Sequence, residues 1–207
     1  MLFEDTYLTI SNPSEGIYKD KGSKFIAYAF PVKTEEEIKA RLADLRKEHP
    51  TARHHCYAFR LGPDKQAFRA NDDGEPKYSA GKPILGQILS KDLTNILIVV
   101  VRYFGGTLLG VSGLINAYKL AAADALQHAV VIEKQVKELY EAAFDYLQMN
   151  DVMKLLKDED LEQISQDFNL NCRLVFAVRK NNADKVKELF SKISNLELKF
   201  LRVEWNP

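Results

Sequence analysis

Three short runs of this 207-residue chain combine residue types that can do chemistry. The first is Arg53-His54-His55-Cys56-Tyr57. If it lies on a strand, alternation puts His54 and Cys56 on one face and His55 and Tyr57 on the other. A histidine beside a cysteine can generate a thiolate nucleophile. The alternative is a buried cysteine flanked by structural or surface histidines, and no third orienting group can be placed from the sequence. A zinc site needs three or four ligands at defined spacing. The chain has only two cysteines and four histidines, and Cys172 is distant from Cys56, so no metal is expected here. The second run is Asp72-Asp73-Gly74-Glu75-Pro76. Three carboxylates on a tight loop can hold a hard cation, but the EF-hand spacing is missing. The alternative is a polar turn whose aspartates cap backbone N–H groups. Ser79-Ala80-Gly81-Lys82-Pro83 then brings a hydroxyl, a lysine and a helix start close by.

The third run, Arg102-Tyr103-Phe104-Gly105-Gly106-Thr107-Leu108-Leu109-Gly110, follows the apolar stretch Ile96–Val101 and precedes an Ala- and Leu-rich helix from Ser112 to Ala123. Strand, glycine-rich loop and helix in that order expose backbone N–H groups and a helix N-terminus, which suits an anion. Ser112 is the expected N-cap. The loop is not a P-loop, and its glycines do not follow the dinucleotide spacing. The alternative is a tight connection in which only glycine fits.

The elements that must position these runs follow from periodicity. Strands are expected over Phe3–Ile10 and Ser23–Val32. Thr34-Glu35-Glu36-Glu37 opens a helix with a capping box and ends before Pro50. His54–Leu61 reads as a strand, Gly62–Lys65 as a turn, and Ala67–Ala70 can pair back across it. Pro83–Ser90 reads as a helix. The apolar stretch 96–101 reads as a strand buried on both faces, in a parallel or mixed sheet. Glu133–Lys137 is polar and reads as a linker. A compact series follows: strand 136–146, helix 150–157, strand 161–168, strand 172–178, helix 183–193 and strand 196–203. That order, βαββαβ, is the ferredoxin-like signature. Two domains are expected, 1–134 and 135–207, within an α+β fold class.

Composition sets the outer bounds. Formal net charge is zero, from 29 basic and 29 acidic residues. This argues against a strongly basic nucleic-acid binder but not against a local basic patch. The first 134 residues carry 18 basic and 16 acidic residues, against 11 and 13 in the remainder, too small a difference to name a partner. No apolar segment reaches the length of a membrane span. The start lacks a basic n-region and an apolar h-region, so no secretory signal is expected. A cytoplasmic chain with reduced thiols is the expectation. Oligomeric state has no signature in the sequence.

Four segments together resemble the IMPACT family (UPF0029, with YigZ among its bacterial members). They are Lys21-Gly22-Ser23-Lys24-Phe25-Ile26-Ala27, Ala52–Phe59, Asp72–Pro76 with Ser79–Leu85, and Val101–Gly110. One departure is local: the family usually has Gly-x-Gly-Gly-Leu after the loop, where this chain reads Gly110-Val111-Ser112-Gly113-Leu114. The resemblance implies an N-terminal domain like the second domain of ribosomal protein S5. It implies a C-terminal ferredoxin-like domain resembling those of elongation factor G. It implies no catalytic residues and no cofactor. Eukaryotic members regulate translation by interfering with an amino-acid-starvation kinase, largely through an extra RWD domain. The present chain is expected to have no room for one.

Two function classes follow. One is a binding or regulatory protein linked to translation or its stress control, acting through RNA, the ribosome or a protein partner, with no membrane role. Lys21, Lys24, Arg53, Lys82 and Arg102 would form a local positive patch, and Tyr57 or Tyr103 would stack on bases. The other is a phospholigand-binding enzyme in which the motifs form one cleft. The candidate residues are Lys24, Arg53, His54, His55, Cys56, Asp73, Glu75, Lys82, Arg102, Tyr103, Gly105, Gly106 and Thr107.

Overall fold

A computed structural model of the chain describes residues 5–168 and 171–204. The chain forms two compact units, Tyr7–Glu133 and Met1–Thr6 with Lys134–Pro207. It is a mixed α/β structure whose two larger sheets are antiparallel. Strand β1 (Thr6–Ile10) pairs with β7 (Val131–Gln135) in a ribbon of their own. The strand expected from Phe3 thus starts at Thr6, and Phe3 and Glu4 lie outside the described residues.

The larger unit is built on a five-stranded sheet in the order β2-β3-β6-β4-β5. These strands are β2 (Ser14–Asp20), β3 (Ser23–Pro31), β4 (His54–Leu61), β5 (Ala67–Asn71) and β6 (Ile96–Tyr103). Every pairing is antiparallel, which corrects the parallel or mixed sheet expected from the apolar run. The run is continuous because both faces of this sheet are covered. On one face α2 (Gly81–Ser90) and α3 (Gly110–Gln127) pack on Phe25, Cys56, Ile98 and Val100. On the other, α1 (Glu35–Glu48) packs through Ile38, Leu42 and Leu45 on Leu97, Val99 and Val101. A central strand between two helical layers needs apolar side chains at every position, whatever its neighbours' direction.

Local chemistry sets the helix ends. The Thr34 side chain accepts the Glu37 N–H at 3.2 Å, as a capping residue should. The Glu37 carboxylate accepts the N–H of Lys33, one residue earlier than a standard capping box. The Ser112 cap does not form. Helix α3 begins at Gly110 (φ +74°), with Leu109 as N-cap and no side-chain cap bond.

The second unit carries β8 (Lys137–Asp145), α4 (Met149–Asp158), β9 (Glu162–Phe168), β10 (Asn171–Arg179), α5 (Ala183–Ser191) and β11 (Leu196–Glu204). Its sheet order is β11-β8-β10-β9. Tyr140, Ala142, Phe144, Leu174 and Phe176 face Val152, Leu156, Val186 and Phe190 of the two helices. The linker expected at 133–137 is strand instead. β7 runs to Gln135 and β8 starts at Lys137, with Val136 donating its N–H to the Asp5 carbonyl at 2.7 Å.

Candidate functional site

The motif runs meet at one end of the five-stranded sheet. In β3 and β6, Lys24 lies opposite Tyr103 and Phe25 opposite Arg102. In β4 and β6, His54 lies opposite Arg102. The β2–β3 turn, the start of β4, the loop after β5 and the loop after β6 therefore share a rim. Alternation then divides the candidate residues between the two faces. His54, Cys56 and Arg102 go to the α2/α3 side, and His55, Tyr103 and Lys24 to the α1 side. The sequence expectation of one cleft gives way to a shared rim with two separate interiors.

On the α2/α3 side the centre is a buried ion pair. Arg102 donates from Nη1 to Glu75 Oε1 at 2.6 Å, with the two side chains 7% and 4% exposed. Tyr118 of α3 donates its hydroxyl to the same oxygen at 2.8 Å. The Cys56 Sγ is 3.3 Å from the Tyr118 hydroxyl and donates to the Asp72 carbonyl at 3.0 Å. Arg102 Nε has no partner among the described residues. The guanidinium lies 5.5 Å from the Phe25 ring centroid and 5.6 Å from that of Phe104. Arg102 is therefore not the free cation beside a glycine loop that the sequence suggested. Its charge is already matched inside the fold.

The Cys56 nucleophile reading fails for a physical reason. The thiol is fully buried, and that burial pushes its pKa far above the ordinary thiol value, despite the Tyr118 hydrogen bond. Burial likewise drives the Tyr118 phenol far upward, reinforced by its Cys56 and Glu75 neighbours. Both groups stay protonated at neutral pH.

The carboxylates of the Asp72–Glu75 loop are committed to the fold as well. Asp72 Oδ1 accepts the N–H groups of Ala80 (3.1 Å) and Gly81 (2.8 Å), capping the start of α2. Its Oδ2 accepts the Tyr78 N–H at 2.8 Å. Asp73 Oδ2 accepts the His55 N–H at 2.7 Å, and its other oxygen is 3.5 Å from Arg46. His54 donates from Nδ1 to the Asp73 carbonyl at 2.9 Å. The capping alternative thus describes the aspartates of this loop. Among the described residues no group of three His, Cys, Asp or Glu side chains is arranged to hold a metal ion.

The glycine loop has a packing role and an open part. A Cβ on Gly105 would overlap the Gly22 carbonyl carbon and the Ser23 nitrogen, so the loop lies directly on the β2–β3 turn. The buried Ser23 hydroxyl accepts the Gly105 N–H at 3.1 Å. Gly106 (φ +89°) faces open space, and Thr107 is exposed.

On the α1 side, His49 is held between two tyrosines. Its Nε2 is 2.8 Å from the Tyr28 hydroxyl and its Nδ1 2.8 Å from the Tyr103 hydroxyl. Burial, with the negative groups around it, pushes the Tyr28 phenol up to about 12. The His55 ring is buried, its Nε2 has no hydrogen-bond partner among the described residues, and burial lowers its pKa. Tyr103 is half-buried, and Tyr57 is half-buried and stacked on Phe59. Both sit on the α1 face of the sheet and are less exposed than Phe104 or Tyr78.

The rim presents a different set to solvent. Lys21, Arg53, Lys77 and Lys82 are exposed and Lys24 is half-buried, and none has a carboxylate within ion-pair distance among the described residues. Two aromatics stand beside them, Phe104 at 56% and Tyr78 at 49% exposure. Tyr78 has φ +68°, a costly conformation for a bulky residue, and the Asp72 carboxylate holds its N–H there. The Nζ atoms of Lys82 and Lys77 lie 3.6 Å and 4.9 Å from its ring centroid. Tyr118, Tyr78 and His49 were not singled out in the sequence, whereas Asp72 was, within the acidic run. A signal for Tyr118 did exist: a phenol at helical spacing among buried alanines must find a partner for its hydroxyl.

Comparison with known proteins bears on this geometry. The Impact N-terminal domain model matches residues 21–126, the span that holds all four motif segments. The chain belongs to the IMPACT family. Its IMPACT relatives include YigZ of Escherichia coli, 34% identical over 97% of this chain and 99% of that protein. A family member of Haemophilus influenzae is 37% identical over 83% of this chain and 82% of the other. The crystal structure of an hypothetical protein matches with a TM-score of 0.72 and 32% identity, covering 96% of this chain and 98% of that one. The IMPACT motifs thus coincide with the rim and the polar bracket beneath it. Within the described residues no helix is long and apolar enough to cross a membrane.

Proposed function

We propose that this IMPACT family member is a binding module of translation or its stress control that takes RNA on the basic rim. The observation that carries this reading is the coincidence, at one sheet end, of five cations without ion-pair partners among the described residues and two exposed aromatics. Phosphate attraction supplies affinity for nucleic acid, and aromatic faces accept bases. Membership of a family whose eukaryotic members regulate translation supports the setting. The Arg102–Glu75 pair, the Asp72 cap and the Cys56–Tyr118 contact hold the rim in shape rather than perform chemistry. In this reading, residues 1–134 are a domain like the second domain of ribosomal protein S5. Residues 135–207 form a ferredoxin-like domain resembling those of elongation factor G. The sheet order β11-β8-β10-β9 with two helices on one face supports the latter.

One observation favours the phospholigand alternative. Helix α3 starts without a side-chain cap, beside Gly106 and Gly110, and has no acidic residue in its first turn. The deciding experiment is fluorescence anisotropy with labelled single-stranded RNA and competing nucleotides, on wild type and Lys77→Glu/Lys82→Glu. Binding that weakens with salt and in the double variant supports the RNA reading. Displacement of the RNA by millimolar nucleotide, or nucleotide binding without RNA binding, points to the phospholigand reading.

A further inference from the structure

We infer that the RNA taken by this rim is single-stranded, and that its bases stack on Tyr78 and Phe104. This rests on the RNA reading above and specifies its form. A duplex hides its base faces, so exposed rings gain nothing from it, whereas an unpaired strand offers a face at each nucleotide. The two rings are set differently from ordinary surface aromatics. Tyr78 sits at φ +68°, held there by the Asp72 carboxylate, which also caps α2 through Ala80 and Gly81. A strained backbone persists only where its surroundings enforce it. Here the enforcing group is a half-buried carboxylate of the same loop, and the result is a phenol ring exposed at the rim with the Lys82 and Lys77 ammonium groups over it. A base that stacks on this ring takes the place of an ammonium group over it, and the displaced lysine chains then reach the phosphates that flank the base. Phe104 follows β6 directly, and the Arg102 guanidinium beneath it is anchored on Glu75. Phe104 is thereby set beside a rigid pair and Tyr78 is fixed by the Asp72 carboxylate, and neither relies on a long flexible side chain.

The test is an anisotropy titration of the full chain with a labelled single-stranded RNA, the same sequence as a duplex, and a salt series. The variants are Tyr78→Ala, Tyr78→Phe, Phe104→Ala and Lys77→Ala/Lys82→Ala, each checked for folding by circular dichroism. Loss of one stacked base weakens binding about 5- to 150-fold. Tyr78→Ala and Phe104→Ala are expected to do this without changing the slope of log K against log salt. Tyr78→Phe retains affinity, because the ring and not the hydroxyl is used. The lysine double variant reduces the slope by about 1.4, from ~0.7 per phosphate contact on a single strand. Single strand bound with both alanine variants within twofold of wild type overturns the stacking inference and leaves RNA binding standing. Duplex bound as tightly as single strand also overturns it. No binding of any RNA at low salt removes the underlying reading together with the inference.

Discussion

Removing Arg102 tests whether the family motif is a structural bracket. Arg102 and Glu75 are 7% and 4% exposed and 2.6 Å apart. With Arg102→Met, Glu75 keeps one neutral donor, the Tyr118 hydroxyl at 2.8 Å, in a site almost closed to solvent. Breaking one side of a buried pair costs about 3–5 kcal/mol, because a charge is left buried and unmatched. For a unit of this size each kcal/mol lowers Tm by roughly 3–5 °C, so the variant melts some 10–20 °C lower. Replacing both partners, as Arg102→Met/Glu75→Gln, leaves an amide that still accepts from Tyr118 and no orphan charge. The double variant is therefore more stable than the sum of the single changes by about 2 kcal/mol or more. Native-state hydrogen exchange at the β6 amides Val99–Val101 reads this unit by itself. A cost below about 1 kcal/mol for Arg102→Met, or strict additivity in the cycle, would refute the bracket. One consequence is practical: Arg102→Ala is a poor probe of ligand binding, since it unseats the rim as well as removing a cation.

Four further outcomes follow from the structure. Gly105→Ala destabilises the larger unit by more than Gly106→Ala, because the first collides with backbone of the β2–β3 turn while the second meets open space and costs only its positive φ, about 1–2 kcal/mol; urea titrations rank the two. Cys56 and Cys172 are both buried, so iodoacetamide labels neither in the folded chain at pH 7.5 and both in denaturant; rapid labelling of Cys56 in the native state would contradict its buried, protonated thiol. The lowered His55 pKa means that below the ordinary value of 6.5 the unfolded chain binds a proton that the folded chain refuses. Stability therefore falls as pH drops through 6.5, by at most ~1.4 kcal/mol per pH unit, and His55→Gln flattens that slope between pH 7.5 and 5.5. Asp72→Ala loses the α2 cap and the bond that fixes Tyr78, costing about 1–2 kcal/mol and weakening RNA binding alongside it.

Much of the fold was legible because its elements carry strong local patterns. The strand 54–61 and the helix under Thr34 came directly from alternation and capping chemistry. β2 was missed because Ser-Glu-Gly-Ile-Tyr-Lys-Asp is a mostly polar edge strand. Its Gly16 is required by the backbone of α3, where a Cβ would collide with Asp124 and Ala125, and no local pattern carries that constraint. β7 was missed because its exposed, polar residues mimic a linker. The location of the site was readable from three chemical runs, yet their roles were not. Arg102 and Glu75 are 27 positions apart, and only the antiparallel pairing of β6 with β4 brings the Glu75 loop under the arginine. Likewise, Tyr103 and Tyr57 read as stacking residues in the sequence, and strand alternation puts both on the α1 side.

The most direct test of the rim as an RNA site is photocrosslinking of the full chain to single-stranded RNA carrying 4-thiouridine, with the attached peptides mapped by mass spectrometry. The expected crosslinks fall in residues 74–82 and 103–109 and disappear in the Lys77→Glu/Lys82→Glu variant. Crosslinks confined to 134–207, or unchanged by that variant, would contradict the assignment of RNA to this end of the sheet.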